Sequence, residues 1–390
     1  MDLNELLKVA TERKASDVHF KVGSPPVLRI DGELLPMIEH KRLVSEDTIG
    51  IAFSIMNNYQ KQKFKTNNEV DVAYSVPGLG RFRVNIFQQR NTVAIALRVI
   101  PHRIQEIADL NLPVVLEKLS LLQRGLVLVT GTTGSGKTTT LAAMIDHINN
   151  QRTTNVITIE DPIEFLHKDK KSIINQREIG TDVKAFDCAL RSALRQDPDV
   201  ILVGEMRDYE TISTALMAAE TGHFVMSTLH TVDATETVNR IISVFPPYQQ
   251  KQVRIQLAGV IKGIVSQRLV VRADGKGRIP AVEVMLATNL IREYITDKDK
   301  TRLIHDAIAA GKSQYGMQTF DQSLMELYQR GLISYDEALK RSSNPDDFAL
   351  KARGVQSTSD LSWEEQEKAS GQESPASVQE QEFKIDRFFT

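Results

Sequence analysis

One eight-residue stretch constrains the fold of this chain more than any other. It follows the pattern GxxxxGK[ST] and reads Gly131, Thr132, Thr133, Gly134, Ser135, Gly136, Lys137 and Thr138. An apolar run at 126–129 precedes it, and residues 141–148 space their apolar side chains along one helical face. A strand, a glycine-rich loop and a helix together direct backbone N–H groups toward a phosphate. The stretch therefore predicts a nucleoside triphosphate site, and a chance glycine-rich turn would not account for both flanks.

Composition narrows the remaining possibilities. The chain has 390 residues, which favours two domains, and a net charge of −2, so nucleic acid is not an expected partner. Its one cysteine, Cys188, excludes an intramolecular disulfide and a multi-cysteine metal site. We find no signal peptide and no apolar run of about 18 residues. We therefore expect a cytoplasmic protein without direct membrane insertion, which reaches a membrane only through a partner.

The pattern of the chain predicts an α/β protein in four parts. Residues 1–100 indicate a small α+β domain, 101–113 a proline-bounded linker, and 114–353 the nucleotide-binding domain with a C-terminal helical part. Residues 354–390 are rich in Ser, Gln and Glu, which predicts a disordered acidic tail. In the small domain, alternation places Arg83 and Arg98 on the strand faces opposite the apolar side chains. Simple solvation of both arginines is the alternative to a functional role.

Three further apolar runs, at 156–159, 200–203 and 224–228, follow at the spacing of a parallel sheet flanked by helices. Polar residues come directly after each run, at the sheet edge where open α/β sheets bind ligands. From residue 246 onward the pattern predicts mostly helix, including one strongly apolar helix across 253–265.

Phosphate chemistry assigns roles to several of these residues. Lys137 would reach the β- and γ-phosphates, and the Thr138 hydroxyl would bind Mg²⁺. Glu205, at the end of an apolar strand, is the candidate carboxylate on the metal side, unless it is an ordinary strand-end surface group. The predicted nucleotide-binding residues are Gly131, Thr132, Thr133, Gly134, Ser135, Gly136, Lys137, Thr138 and Thr139.

The group that positions the attacking water is left open by the residues themselves. Glu160, Asp161 and Glu164 follow one strand, and so many neighbouring carboxylates indicate either a metal and water region or a solvated acidic loop. His223 and His230 flank the fourth strand and could sense the γ-phosphate. The candidates for an arginine finger are Arg83, Arg98, Arg195 and Arg207. If the first two act, they do so across an interface in an oligomeric ring.

These motifs together resemble the secretion and type IV pilus motor ATPases, most closely the pilus retraction (twitching-motility, PilT-like) branch. The resemblance covers residues 1 to about 347. Residues 131–138 look like the Walker A motif of that family, and 159–165 like its Asp box. Residues 202–208 look like its atypical Walker B motif, and 221–231 like its His box. Residues 286–293 match the retraction-branch element Ala-Ile-Arg-Asn-Leu-Ile-Arg-Glu only in their last five positions.

The resemblance implies a PAS-like N-terminal domain and a RecA-like P-loop ATPase domain in a homohexamer, with ATP and Mg²⁺ between subunits. It implies that Glu164 is the catalytic glutamate and that Glu205 is the metal-side carboxylate. It also implies that Arg83 and Arg98 are trans arginine fingers and that His230 belongs to the catalytic set. The implied function is pilus retraction and twitching, powered by hydrolysis at the cytoplasmic side of the inner membrane. The implied partners are a membrane platform protein and a paralogous retraction ATPase.

Three other functions remain as alternatives. A pilus extension or type II secretion assembly ATPase is usually longer and often has a four-cysteine metal site, whereas this chain starts at the PAS-like domain and has one cysteine. A RecA-like DNA translocase would be strongly stimulated by DNA. A nucleotide-regulated switch would release no phosphate, which intact Lys137 and Glu164 argue against.

Overall fold

The computed structural model describes residues 2–30, 32–100 and 104–354. It divides them into two compact units. The first runs to Ile104 and also takes in Glu164–Leu166, and the second comprises the remaining described residues. No helix of the described ranges is long and apolar enough to cross a membrane. The predicted acidic tail, apart from Gly354, lies outside the described residues.

The first unit is an antiparallel sheet with helices. The sheet order is β3-β2-β1-β6-β5-β4, with neighbouring strands antiparallel. The strands are β1 (Asp17–Phe20), β2 (Val27–Ile30), β3 (Glu33–Pro36), β4 (Glu69–Val76), β5 (Gly80–Gln89) and β6 (Thr92–Ile100). The helices are α1 (Leu3–Glu12), α2 (Ser45–Ile55) and α3 (Asn58–Asn67). Phe82 and Val84 are buried while Arg83 between them is exposed, because side chains alternate along a strand.

The second unit is organised around a mainly parallel sheet of order β13-β12-β7-β11-β10-β8-β9. Its strands are β7 (Gly125–Thr130), β8 (Asn155–Glu160), β9 (Ile173–Glu178), β10 (Val200–Val203), β11 (Phe224–Leu229), β12 (Ile261–Val271) and β13 (Arg278–Leu286). Every residue of β7, β10 and β11 is buried. These strands are apolar on both faces because helices cover both sides of the sheet.

Helices connect and cover these strands. They are α4 (Val115–Ser120), α5 (Lys137–Gln151), α6 (Phe186–Ala193), α7 (Tyr209–Glu220), α8 (Ala234–Ser243), α9 (Pro247–Val260), α10 (Asn289–Thr296), α11 (Ile304–Ala310), α12 (Lys312–Tyr315), α13 (Phe320–Gln329), α14 (Tyr335–Arg341) and α15 (Pro345–Ala352). A short 3₁₀ helix at Thr301–Leu303 precedes α11. A smaller apolar cluster joins β12 and β13 to α13, α14 and α15.

The predicted apolar helix at 253–265 is wrong in its second half. The helix ends at Val260, and Ile261 begins β12, which pairs in parallel with β7 and antiparallel with β13. The apolar residues of 253–265 keep a helical spacing past Ile261, but pairing with β7 makes the second half a strand, and this contact is not local in the sequence. The expectation that the chain is mostly helical after residue 246 is wrong for β12 and β13, and β9 was also missed.

Part of the predicted linker at 101–113 belongs to the second unit. Residues 101–103 lie outside the described ranges, whereas Ile107 and Leu112 are buried in the apolar core of the second unit. The predicted boundaries of four parts stay a prediction.

Asn149 on α5 holds the segment between β8 and β9, and a substitution of this residue tests that role. Its fully buried amide donates to the Lys168 carbonyl (2.7 Å) and accepts from the backbone N–H groups of Lys170 (3.0 Å) and Ser172 (3.2 Å). We expect Asn149→Ala to lower the free energy of unfolding by about 2–4 kcal/mol, because buried polar groups lose their partners. Urea denaturation measures this. The control is Asn150→Ala, because the Asn150 amide donates to the carboxylate of Asp146 on the same helix, and equal losses in both variants would contradict the assignment.

Candidate active site

The phosphate-binding loop (residues 131–138) joins β7 to α5 in a conformation that its glycines permit. Gly131, Gly134 and Gly136 have φ values of 141°, 78° and 94°. A Cβ atom at Gly131 would lie 2.5 Å from the backbone oxygen of Gln267 on β12, so a larger residue cannot occupy this position without displacing backbone. The loop therefore depends both on glycine and on the close approach of β12.

Lys137 is the buried cation of this loop. Its Nζ donates to the carbonyl oxygens of Gly131 (2.8 Å) and Thr132 (3.1 Å) and lies 3.5 Å from Nδ1 of His230. The side chain thus lies across the mouth of its own loop. A phosphate placed there would compete with these carbonyl groups for the ammonium.

Glu205 and His230 meet because β10 and β11 are adjacent and parallel. Nε2 of His230 lies 3.1 Å from Oε1 of Glu205, and Nε of Arg207 pairs with the same carboxylate oxygen. The hydrogen bond between Arg207 and Glu205, together with the negative charge of Glu205, raises the pKa of the exposed Arg207 guanidinium. A continuous chain of polar contacts therefore runs from Lys137 through His230 and Glu205 to Arg207.

The strands that carry these residues are fixed by further hydrogen bonds. The Thr228 hydroxyl donates to the Gly204 carbonyl (2.7 Å), and the Ser227 hydroxyl donates to the Val203 carbonyl (2.7 Å). A Cβ at Gly204 would meet the carbonyl oxygen of Ile159 at 3.1 Å, so β8, β10 and β11 approach closely at this edge. The rigid strand ends place Glu205 and His230 beside the loop.

The residues present fit a nucleoside triphosphate. Within the described ranges, the buried Ser135 hydroxyl and Oε1 of Gln267 have no hydrogen-bond partner. Both residues line a cavity of about 260 Å³ next to the loop, to which Thr139, Arg272 and Arg278 also contribute. Hydroxyl and carboxylate oxygens are the ligands that Mg²⁺ prefers, so the side chains of Thr138 and Glu205 are of the right chemical type to hold it. The loop thus offers phosphate donors, and the cavity offers room for the rest of a ligand.

The three acidic candidates that follow β8 differ in burial. Glu160 is buried, and its Oε1 accepts from the Thr158 hydroxyl (2.6 Å) and from Nε2 of Gln176 (3.1 Å). Asp161 and Glu164 are exposed. A water positioner must have an accessible oxygen, so the exposed Glu164 fits that role better than the hydrogen-bonded Glu160.

Sequence reasoning missed the residues that support this acidic segment. Thr158 and Gln176 hold Glu160, and the buried Glu178 accepts from the backbone N–H of Ile163 (3.1 Å). Gln176 and Glu178 lie on β9, a strand with an exposed first residue and no clear apolar run. Nothing in the local pattern pointed to these contacts, because they depend on β9 pairing with β8.

The arginine candidates have different environments. Arg207 is in the cluster around Glu205, whereas the guanidinium of exposed Arg195 donates to the Arg191 carbonyl. Arg83 and Arg98 face each other on β5 and β6 and are exposed, as the alternation predicted. Nε of Arg98 lies 3.0 Å from Oδ1 of Asp17, with 70% of its side chain exposed. Their role as fingers stays a prediction.

His223 does not join His230. It lies at the opposite end of β11, where Nδ1 contacts the Ala218 carbonyl oxygen at 3.0 Å. This contact closes the turn that follows α7.

A buried acid not singled out by the sequence, Glu283 on β13, supports the segment after His230. Its Oε1 accepts from the backbone N–H of Ala234 (2.8 Å), the first residue of α8. Burial raises the pKa of Glu283 to about 7, and the negative charge of Asp233 adds to this effect. The hydrogen bond from Ala234 and the charges of His305 and Arg268 act in the opposite direction and lower the pKa. The Ser266 hydroxyl lies 3.4 Å from the same oxygen and 3.1 Å from the Thr130 hydroxyl, next to the loop.

Comparison with known proteins assigns this arrangement to a family. Residues 1–339 match the family described as "Type II/IV secretion system protein". This chain belongs to that family, and together with the relatives described next this confirms the resemblance, the fold class and the ATPase class predicted from the sequence.

Individual relatives are similar over most of their length. The "Type IV pilus retractation ATPase PilT" of Pseudomonas aeruginosa is 45% identical over 352 residues, covering 89% of this chain and all of the relative. A "Twitching motility protein" of Neisseria gonorrhoeae is 43% identical, covering 83% of this chain and 86% of the relative. The crystal structure of the pilus retraction motor PilT with bound ADP superposes with a TM-score of 0.83 at 47% identity, covering 89% of this chain and 98% of that one.

Glu283→Gln tests the titration of the buried acid. Because the folded-state pKa is raised from 4.5 to about 7, the folded chain retains a proton that the unfolded chain releases in this window. The free energy of unfolding should therefore fall as pH rises from about 4.5 to 7, by up to about 3 kcal/mol, and this contribution should then level off. The amide of glutamine does not titrate, so the variant should lose that component.

The measurement is denaturant unfolding of wild type and variant at pH 5 and pH 8. The wild-type stability minus the variant stability should be smaller at pH 8. Glu236→Gln, an exposed change near the same helix start, is the matched control. A difference that does not vary with pH would show that Glu283 is ionised throughout.

Proposed function

We propose that this protein is an ATP-hydrolysing motor that retracts type IV pili and so drives twitching motility. The observation that carries the proposal is the chain of contacts from Lys137 through His230 to Glu205, which joins the phosphate-binding loop to two neighbouring strand ends. Similarity to proteins named for pilus retraction and twitching supports the choice of branch. An ATPase for pilus extension or type II secretion assembly is the alternative.

The nucleotide site would use the chain's own groups in distinct roles. Bound Mg²⁺ would supply positive charge on the phosphate oxygens, and the Thr138 hydroxyl and the Glu205 carboxylate would hold it. The loop from Gly131 to Thr139 would bind the phosphates through its N–H groups and the Lys137 ammonium. The cavity beside Ser135 and Gln267 is the proposed place for the rest of the nucleotide.

His230 is proposed to couple nucleotide state to the Glu205 cluster. Nζ of Lys137 is 3.5 Å from one ring nitrogen of His230, and Glu205 is 3.1 Å from the other. Moving the ammonium from the loop carbonyls to a phosphate would therefore alter one side of the imidazole and, through it, the carboxylate. Glu164 is proposed to orient the attacking water and accept its proton.

The proposed assembly is a homohexamer with shared sites. Arg83 and Arg98 would act from a neighbouring subunit, where an arginine finger contributes about 10³–10⁵ in rate. The ring would act on a platform protein of the inner membrane, and a paralogous ATPase would assist it. The motor would thus work from the cytoplasm, held at the membrane by the pilus machinery.

The catalytic glutamate is tested by comparing Glu164→Gln with Glu160→Gln. We expect Glu164→Gln to lower kcat by about 10²–10⁴ while nucleotide still binds, because the base is lost. Glu160→Gln should keep most activity, since an amide oxygen can still accept from Thr158. Phosphate release and nucleotide titration measure both. Loss of turnover in Glu160→Gln alone would move the role to that residue.

Subunit mixing tests the trans arginine. Lys137→Ala and Arg83→Ala proteins should each be inactive, but mixed rings should regain ATPase activity. The reason is that an intact loop on one subunit then meets an intact arginine on its neighbour. Mixing Lys137→Ala with wild type verifies that subunits exchange. If exchange occurs and the two inactive variants stay inactive together, Arg83 does not act in trans.

The pilus function is tested in a null strain complemented with wild type or Glu164→Gln. We expect the null strain and the Glu164→Gln strain to carry excess pili and to lack motility. Complementation with wild type should restore motility. Strains that lack pili in both cases would make the protein an assembly motor.

A further inference from the structure

A second cleft lies in the C-terminal part of the second unit. It has a volume of about 540 Å³ and lies among α8, α9 and the residues that follow α10. Its lining includes Thr235, Asn239, Arg254, Lys298, Asp299 and Arg302. None of these residues belongs to the cluster around the phosphate-binding loop.

Arg254 is the buried cation of this cleft. Only 8% of the residue is exposed. Its Nη1 donates to the Ile295 carbonyl (2.9 Å), near the end of α10, and to the Thr301 hydroxyl (3.0 Å). No carboxylate of the described residues lies within ion-pair distance, and burial lowers its pKa with only partial compensation from the charge of Asp297. A buried guanidinium without a countercharge is costly, and a bound anion would remove that cost.

The other two cations of the lining also lack acidic partners. Lys298 and Arg302 are exposed and form no side-chain hydrogen bond or ion pair within the part of the chain that the structure describes. Their neighbour Lys300, in contrast, pairs with Glu293. Among the residues that line the cleft, one carboxylate, Asp299, lies with three cations, so the lining carries an excess of two positive charges.

We propose that this cleft binds the phosphate group of an anionic ligand. A phosphate monoester carries about −1.5 to −2 charges near neutral pH, which matches the excess in the cleft. Arginine side chains offer planar pairs of donors suited to phosphate oxygens, and Thr235 and Asn239 add uncharged polar groups. The volume of about 540 Å³ leaves room for more than a phosphate group.

Two sources share this chemistry. One is a soluble phosphorylated metabolite, and the other is the headgroup of an anionic lipid. In either case the ligand would contact Arg254, which already holds the end of α10 through Ile295, so binding should stabilise this helix.

The test uses the full-length protein with its nucleotide site saturated by Mg²⁺ and ADP, so that added phosphate compounds do not bind there. The first probe is glycerol 3-phosphate, with glycerol and sodium acetate at equal ionic strength as controls. The second probe is a vesicle of phosphatidylcholine with or without phosphatidic acid. Thermal stabilisation reports the soluble ligand, and co-sedimentation reports the vesicles.

The decisive variant is Lys298→Gln combined with Arg302→Gln, since both side chains are exposed and the changes should leave the fold intact. Its apparent Kd should rise about tenfold or more, because two charge-assisted contacts are lost. Lys300→Gln is the matched control and should bind as wild type does. Unchanged nucleotide binding by the double variant verifies its fold.

Each outcome bears on the proposal. Binding of glycerol 3-phosphate alone identifies a soluble ligand, and binding of phosphatidic acid vesicles alone identifies a lipid. Binding of both supports the shared chemistry. Binding of neither, equal binding by the double variant, or equal stabilisation by acetate would overturn the proposal. None of these results depends on whether the protein retracts pili.

Discussion

The candidate active site depends on parallel strand pairing at the centre of the second unit. β11 lies between β7 and β10, so the loop after β7, His230 after β11 and Glu205 after β10 converge at one edge. Parallel strands end on the same side of a sheet, which is why residues far apart in the chain can contact one ammonium group. Without this register, Lys137 would have no imidazole beside it and Glu205 would remain an isolated strand-end carboxylate.

Charges near the loop are stabilised by different means. Lys137 is held by backbone carbonyl groups, and Glu205 by a guanidinium and an imidazole. Burial instead raises the pKa of Glu283 to about 7, and its carboxyl group accepts a hydrogen bond from the N–H that begins α8. The charged groups at the loop mouth therefore contact one another and backbone carbonyl groups, whereas the segment behind them is held by a buried acid. This combination suits a site that must exchange one anion for another without losing its framework.

Elements with a short-range sequence pattern could be predicted, whereas elements that depend on contacts between distant segments could not. The loop, its flanking strand and helix, and three further parallel strands with apolar runs were predicted because each carries its own short-range pattern. β9 was missed because its side chains are only partly buried and its pairing with β8 is not local. The helix prediction at 253–265 failed at Ile261 because the helical spacing of apolar residues continues past this point, whereas pairing with the distant strand β7 makes Ile261 the first residue of β12. Gln176, Glu178 and Glu283 carry no motif and were found only from their contacts.

The sequence by itself determined the chemistry that this protein can perform. Its glycines, lysine and threonine define a phosphate site, because those residue types at that spacing leave few alternatives, and the alternation around Arg83 and Arg98 determined which strand face they occupy. Only the tertiary structure decided which acidic residue after β8 is buried and which is exposed, and which histidine meets Lys137. It also decided that Arg254, Lys298 and Arg302 share one cleft. Backbone patterns are encoded locally, whereas burial and the meeting of charges depend on how distant segments pack.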